Sequence, residues 1–281
     1  MIVGRHDLPF YYDEEVEVQK SFLDAFLKGQ DSVGWSTPGK VPAVDLVLRK
    51  GNVGFNNAEA EKAFARRTET EWPIARTQYK NFHLHSDGLL DLEEPRTEAT
   101  VTKVSYRALG TLEKPQLVQF TTRAFEQETE ITGHVTAHLN VSVTPDPDGP
   151  TTKDIDLFIT LRYISPSGDE VNYTGTAGDP IPLAKGWLRV SMRKTNPTHA
   201  KHRAYLPHRD YFSTDVLPVI PGESYPVDIE VWPTNVVVEK GGKLVFEVAS
   251  GDTQGSGIFC HNDPIDRYVC FLLIEHGDEL T

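Results

Sequence analysis

The chain has 281 residues, of which 38% are hydrophobic and 25% are charged, and this composition excludes a disordered acidic polymer, a collagen and a disulfide-rich miniprotein. Its 28 Lys and Arg residues against 41 Asp and Glu residues give a net charge of −13, which disfavours nucleic acid and membrane surfaces as partners. No apolar stretch has the length of a spanning helix and the N-terminus lacks signal-peptide features, so a cytoplasmic location is expected.

The first predicted element is an amphipathic helix from Asp13 to Lys28. Its apolar residues recur at spacings of three, four and seven, and they are Val16, Phe22, Leu23, Phe26 and Leu27. Acidic residues at its start suit the positive end of the helix dipole, and Gly29 is a typical C-terminal stop. Residues 1–30 therefore indicate a strand end, a loop and a helix.

From Val41 onward, short runs of strand-forming residues alternate with Pro, Gly, Asn and Asp. The predicted strands are Val44–Leu48, Phe82–Leu84, Val101–Tyr106, Leu117–Thr121, His134–Val143, Asp156–Ile164, Trp187–Met192, Val227–Val231, Leu244–Val248 and Tyr268–Ile274. This spacing favours a β-sandwich or jelly roll over a parallel sheet with crossover helices. A short helix is predicted over Ala58–Arg67.

Searches for catalytic motifs find none that is complete. No G-x-S-x-G nucleophile elbow is present, and the nearest string, 253–257, is interpreted as a glycine-rich strand connection. The histidines His199, His202 and His208 are interpreted as a solvated basic loop, because Lys201 and Arg203 disfavour a bound cation. No calcium loop, phosphate loop or dinucleotide fingerprint is found, so no metal and no cofactor are expected.

The two cysteines, Cys260 and Cys270, are interpreted as free thiols, because their spacing matches no zinc motif. The tryptophans Trp72, Trp187 and Trp232 are interpreted as core packing rather than a sugar-stacking surface. The carboxylates Asp154 and Asp156, at a strand start, are interpreted as turn or cap residues.

Several strings occur together in one order, and their combination is more specific than any one of them. They are Thr70-Glu-Trp-Pro-Ile-Ala-Arg-Thr77, Asp154-Ile-Asp-Leu-Phe-Ile-Thr-Leu161, Pro182-Leu-Ala-Lys-Gly-Trp-Leu-Arg189, Val231-Trp-Pro-Thr234, Ala249-Ser-Gly-Asp252 and His261-Asn-Asp-Pro264. With these strings, residues 70–267 resemble the C-terminal half of the cocaine esterase and X-Pro dipeptidyl-peptidase family.

The resemblance implies a mainly β chain, a jelly-roll β-sandwich of galactose-binding-like fold, preceded by a short strand-loop-helix remnant of an α/β-hydrolase core. It implies three segments: the core remnant at 1–31, a connection at 32–69 and the jelly roll at 70–281. Family members carry the serine nucleophile and the acid earlier in the chain, and His6 lies where they carry the catalytic histidine. His6 is thus the one candidate catalytic residue, and a plain loop histidine is the other interpretation.

The end of the chain departs from the family pattern. After Asp266-Arg267 the resemblance implies a stretch with an Asn-x-Ile-His motif, whereas the predicted strand Tyr268–Ile274 follows at once. The position of the final strand is therefore a question for the structure.

Three functions are consistent with the sequence. The first is an accessory domain of a serine hydrolase that acts on a small-molecule ester or peptide once a core is supplied, and that is inactive alone because a histidine without a serine is not a triad. The others are an independent β-sandwich binding module and a repurposed isomerase or cyclase that uses His6, His83 or His85 as acid–base groups. In the resembled family the apolar residues of the helix Asp13–Lys28 would pack against the hydrolase core. Without that core they would be exposed unless two copies pair, so a homo-oligomer is expected.

Overall fold

A computed structural model describes residues 9–94, 103–107, 114–145, 154–253 and 270–275. Two α-helices, α1 (Asp13–Lys28) and α2 (Ala58–Glu61), accompany a mainly β fold. The strands are β1 (Val44–Lys50), β2 (Ala65–Glu69), β3 (His83–Leu84), β4 (Leu89–Asp91), β5 (Lys103–Arg107), β6 (Leu117–Thr122), β7 (Thr129–Pro145), β8 (Asp156–Ile164), β9 (Glu170–Val171), β10 (Tyr173–Thr174), β11 (Pro180–Ile181), β12 (Ala184–Arg189), β13 (Ser224–Val238), β14 (Lys243–Ala249) and β15 (Cys270–Glu275).

Among the described residues, thirteen strands form one mixed sheet with the order β3-β4-β6-β14-β8-β12-β13-β7-β15-β5. Three further strands join this path at its sides: β1 pairs with β13 and β2, and β9 pairs with β8. Most pairs are antiparallel, whereas β1 with β13 and β4 with β6 are parallel. The prediction of a mainly β fold is confirmed.

The core lies between the inward faces of this sheet, and β7 and β13 supply much of it. The two strands pair over nearly their whole length, with a shift of register between Val231 and Thr234. Side chains alternate along them, so that Val141, Ile229 and Val231 are fully buried. Each such side chain contributes about 1.5–3 kcal/mol through burial. Because of this alternation, the intervening residues of each strand point outward, and the candidate site lies on that outer face.

All ten predicted strands overlap strands of the structure, and among the described residues five further strands, β2, β4, β9, β10 and β11, are not predicted. The helix predicted over Ala58–Arg67 is wrong in its second half, because Ala65–Glu69 is β2 and pairs antiparallel with β1. Pairing with β1, including the ion pair of Arg66 with Asp45, overrides the helical propensity of this segment.

The predicted final strand is present over Cys270–Glu275, and its predicted start at Tyr268 lies outside the described residues. β15 pairs with β7 on one side and with β5 on the other. A final strand over Cys270–Glu275 thus covers the edge of β7, whereas the departure at Asp266-Arg267 lies outside the described residues. The predicted strand Trp187–Met192 ends earlier, since β12 stops at Arg189 and a 3-10 turn follows.

β1 is fixed to β13 by a buried arginine. Arg49 donates from Nε to the carbonyl of Asn235 at 3.0 Å and from Nη2 to Oγ1 of Thr234 at 2.6 Å. Its guanidinium lies 4.1 Å from the centre of the Tyr173 ring. Hydrogen bonds and the ring face compensate the burial of this charge.

Gly186 marks the closest approach of β12 to β13. A Cβ atom built at this position would lie 2.3 Å from the carbonyl oxygen of Glu230, which is backbone and has no room to move. The glycine in the string Lys185-Gly-Trp-Leu-Arg189 therefore has a steric reason.

Candidate functional site

Outward-facing aromatic side chains from three strands and two loops meet on one face of the sheet, which we name the outer aromatic face: His134, Trp187 and Trp232 from strands, and Trp72 and Tyr205 from loops. Gly186 pairs with Val231, so the outward residues that follow each of them lie on neighbouring strands. The rings of Trp187 and Trp232 are 5.6 Å apart in an edge-to-face arrangement. Five segments of the fold thus contribute to a single surface.

The interpretation of the tryptophans as core residues is wrong for two of them. Trp232 is 64% exposed and Trp72 is 37% exposed. The reason is alternation: Val231 points inward and is fully buried, so Trp232 points outward. Three exposed or half-exposed rings in a mainly β domain indicate a contact surface.

A group of rings surrounds His134 at one end of the outer aromatic face. Trp72 donates from Nε1 to Nε2 of His134 at 3.2 Å, and the two rings are 5.8 Å apart. Tyr205 lies 5.9 Å from His134 and stacks on Tyr79 with centroids 4.3 Å apart. These residues are far apart in the sequence, and only the fold brings them together.

The hydrogen bond from Trp72 determines the tautomer of His134. An indole N–H can only donate, so Nε2 accepts and Nδ1 carries the hydrogen of the neutral ring. That Nδ1 atom is buried and has no hydrogen-bond partner among the described residues, and the same holds for the hydroxyl of Thr136 two residues on. Burial lowers the pKa of His134, and the weaker attraction of Glu230 opposes this.

A second histidine on the same strand has the opposite surroundings. His138 lies across from Asp228, and its Nδ1 is 2.6 Å from Oδ1 of that carboxylate. The hydrogen bond to Asp228 raises the pKa of His138 and lowers the pKa of Asp228. Both side chains are well exposed.

We expect His134 to titrate below, and His138 above, the pKa of a free histidine. The two midpoints can be measured from the ring Cε1–H signals by NMR. Because the pKa of His134 is lowered, its contribution to stability is present above the ordinary histidine value and is lost as the pH falls toward its folded value. His138 has the reverse sign, so its contribution is present at low pH and is lost as the pH rises through its folded value.

The variant Asp228→Asn is the control for this titration. It removes the charge beside His138, so only the His138 midpoint is expected to move down. Equal midpoints in the unaltered chain, or a shift of His134 in the variant, would contradict the assignment.

Ion pairs border the outer aromatic face, and they come from the strings that carry the family resemblance. Arg189 donates from Nε to Asp156 at 2.9 Å, and Lys185 lies 3.2 Å from the buried carboxylate of Asp252. Asp154 accepts from the backbone N–H groups of Ile155 and Ser191 at 2.9 Å, as expected of a cap residue. The same prediction is wrong for Asp156, which lies in β8 and pairs with Arg189.

The remaining candidate residues lie elsewhere. His6 and Ser256 fall outside the described residues. His83 begins the edge strand β3, and the ring of His85 lies 3.0 Å from the carbonyl of Glu93. Of the three loop histidines, His199 and His208 are stacked with centroids 3.6 Å apart.

Helix α1 presents a second uncovered surface. None of its sixteen residues is buried against the described part of the chain, and Phe26 and Leu27 are 54% and 76% exposed. Together with Phe10, Tyr11 and other helix residues, Val16, Leu23 and Leu27 line a shallow groove of about 480 Å³, which we name the α1 groove. No described helix has the length and apolarity needed to cross a membrane.

The loop after α1 fixes the helix end. Asp31 accepts from the backbone N–H groups of Gly34, Trp35 and Ser36 and from the Ser36 hydroxyl, and these bonds lower its pKa to about 2. Trp35 then contacts Phe22 edge to face at 5.4 Å and donates to the hydroxyl of Ser21 at 3.1 Å. The apolar stripe is therefore held in one orientation while most of it stays uncovered.

Comparison with known proteins identifies a matching family. Residues 39–272 match the model of the X-Pro dipeptidyl-peptidase C-terminal non-catalytic domain. The curated Mycobacterium bovis protein named "Putative serine esterase Mb1866c" is 25% identical over 139 residues, which are 50% of this chain and 19% of that protein.

Two solved structures have a similar fold. A CocE/NonD family hydrolase from Staphylococcus aureus superposes with a TM-score of 0.75 and 22% identity, over 95% of this chain and 45% of that one. An aminopeptidase from a marine sediment archaeon, Thaumarchaeota archaeon, gives a TM-score of 0.60 and 14% identity, over 97% of this chain and 44% of that one. The chain thus spans less than half the length of these relatives.

Proposed function

Because the chain belongs to the family of X-Pro dipeptidyl-peptidase C-terminal non-catalytic domains, we propose that it is the accessory β domain of a serine hydrolase of the cocaine esterase and X-Pro dipeptidyl-peptidase type. The catalytic domain of such a hydrolase supplies the serine and the acid, and the bond that is cleaved is an ester or a peptide. The chain alone is inactive in this proposal. The family match favours it over an independent binding module or a repurposed isomerase.

The observation that carries this proposal is the uncovered apolar stripe of α1. A helix of sixteen residues is marginal in water by itself, and most of its stability comes from packing of its apolar face. Here the acidic first turn and the Asp31 loop hold the helix in place, yet Leu23 and Leu27 remain 49% and 76% exposed against the described chain. A helix built in this way needs a partner surface, and a hydrolase core preceding it supplies one.

The remaining expectations are part of the proposal. We divide the chain into a core remnant at 1–31, a connection at 32–69 that contributes β1 and β2 to the sheet, and a jelly roll at 70–281. His6 is the histidine that such a core would use. We further propose that the substrate is a small molecule and that the chain is cytoplasmic. Without the core, we propose that the chain forms a homo-oligomer.

We expect the isolated chain to self-associate through the α1 groove, because an uncovered apolar stripe lowers its free energy by pairing with a second copy. The double variant Leu23→Glu, Leu27→Glu places charge in the groove and is expected to be monomeric in sedimentation velocity. Glu14→Gln changes the charge of the first helical turn at a residue that does not line the groove, so this control is expected to associate like the unaltered chain.

A monodisperse monomer of the unaltered chain would contradict the expected association. Association that persists in the double variant would show that another surface, such as the outer aromatic face, makes the contact. Near-ultraviolet circular dichroism of the variant checks that the fold is retained.

A further inference from the structure

We propose that His199, His208 and Asp210 bind a divalent transition-metal ion of the Zn²⁺ type. The three residues lie in the long connection between β12 and β13, outside the outer aromatic face and the α1 groove. One ligand atom from each residue can be chosen so that all lie within 4.8 Å of one another. In the sequence, His199 stands close to His202 and His208. In the folded chain, the third residue beside His199 and His208 is Asp210 rather than His202.

Two of the three ligands are held by a buried neighbour. Arg209 lies between them with 8% exposure and donates to the carbonyls of Met192 and Asp228. Since side chains alternate along an extended segment, His208 and Asp210 both point to the other side. Their atoms Nε2 and Oδ1 are 3.2 Å apart. Two ligands of a tetrahedral zinc ion, at bond lengths of about 2.0–2.1 Å, are separated by about 3.3 Å.

A residue behind the ligands orients the carboxylate. Asn196 donates from Nδ2 to Oδ2 of Asp210 at 2.7 Å, so Oδ1 is the oxygen that faces His208. Without an ion, Oδ1 accepts the hydrogen of His208 Nε2, and binding moves this hydrogen to Nδ1 of His208, so that Nε2 and Oδ1 both reach the ion. The backbone N–H of Asn196 also donates to the carbonyl of His208 at 2.8 Å. Hydrogen bonds of this kind to the ligands of metal sites fix their orientation and raise affinity.

The third ligand, His199, has to move for the ion to bind. Its ring is parallel to that of His208 within 7°, and the lone pair of a ring nitrogen lies in the ring plane, so two stacked rings cannot direct their lone pairs to one ion. In the stacked state Nδ1 of His199 accepts from the backbone N–H of Lys201 at 3.2 Å, so Nε2 carries the hydrogen. Binding through Nε2 transfers this hydrogen to Nδ1 and breaks that exposed bond.

Two neighbours in the loop are held by the backbone. The guanidinium of Arg203 is held by the carbonyls of Ala200 and His202, at 2.8 and 2.6 Å. Nδ1 of His202 accepts from the backbone N–H of His208 at 3.2 Å, and this atom is therefore occupied. Two imidazoles and one carboxylate suit Zn²⁺, Co²⁺, Ni²⁺ or Cu²⁺ rather than Mg²⁺ or Ca²⁺, and a fourth position is left for water.

The test is titration of the purified chain with ZnCl₂ in a calorimeter at neutral pH, repeated with Co²⁺ to record its visible absorption. We expect one site whose affinity falls at least about tenfold in His208→Ala and in Asp210→Asn. The matched control is His138→Ala, which removes another exposed histidine beside an aspartate and is expected to leave the site intact. Affinity also falls as the pH is lowered, because the ligands take up protons.

Two outcomes would overturn the proposal. One is the same Zn²⁺ affinity in the unaltered chain and in both loop variants, which would assign the binding to other histidines among the ten of this chain. The other is a Co²⁺ spectrum of octahedral type in which neither loop variant changes the absorption. Asp210→Asn keeps the size of the side chain, so it separates loss of a ligand from loss of the loop conformation, which circular dichroism monitors.

Discussion

The isolated chain is expected to form no covalent adduct with a fluorophosphonate serine probe and to hydrolyse a small ester at no more than the background rate. Hydrolysis by the family route needs a serine alkoxide, a base that generates it and an oxyanion hole, and the sequence contains no nucleophile elbow to hold the serine. Removal of the nucleophile costs about 10⁶-fold in rate in a serine protease. Labelling followed by mass spectrometry and initial-rate kinetics measure both quantities.

The variant His6→Ala provides the control for this expectation. Without a serine held beside it, His6 has no proton to accept in the family reaction, so the residual rate is expected to be the same in the variant. Appreciable turnover that His6→Ala abolishes would contradict the accessory-domain proposal and would favour an acid–base enzyme instead. Labelling of any serine would contradict the absence of an activated nucleophile directly.

Replacing Glu247 by alanine is expected to destabilise the domain by about 3 kcal/mol, the lower end for a broken buried pair, because Arg162 loses this partner but keeps Glu170 at 2.8 Å. Glu247 on β14 is 1% exposed and accepts from Nε and Nη2 of Arg162 on β8, at 3.1 and 2.9 Å. Gln119 and Thr253 also donate to this carboxylate. Burial acts to raise the pKa of Glu247, but the bonds and charge of Arg162 outweigh it, and the pKa lies below its usual value.

Urea denaturation at neutral pH measures this loss. The matched control is Glu59→Ala, which breaks an exposed pair with Lys62 at 2.9 Å and is expected to cost less than about 1 kcal/mol. Since the pKa of Glu247 is lowered in the fold, its stabilisation is present above the value of an unfolded glutamate and is lost as the pH falls through its folded value. Equal losses in the two variants would contradict the importance of the buried pair.

The strands could be predicted from the sequence because they are long enough to show alternation. His134–Val143 and Asp156–Ile164 carry a regular pattern or a continuous apolar run, and both lie in the centre of the sheet. β10 and β11 have two residues each, which is too short for any periodic signal. The helix predicted over Ala58–Arg67 extends into the start of β2, because local propensity contains no information about the partner strand β1.

The outer aromatic face could not be predicted, since its contacts join residues that are distant in the chain. Trp72 and His134 are 62 residues apart, and no local pattern pairs them. The alternation in His134–Val143 did predict one wet face, and this was the available signal for His134. The string Val231-Trp-Pro-Thr234 does not indicate whether the side chain of Trp232 points inward or outward. The shift of register between Val231 and Thr234 appears only when β13 is paired with β7.

The parallel pairing of β1 with β13 sets an order for folding. Arg49 and Asn235, which this pairing joins, are 186 residues apart in the chain. During synthesis β1 leaves the ribosome long before β13 exists, so its free edge and the charge of Arg49 stay solvated until most of the domain has been made. Closure of so long a loop makes the last step slow. A chain truncated before Ser224 would therefore expose both β1 and the edge of β7, and aggregation would compete with folding.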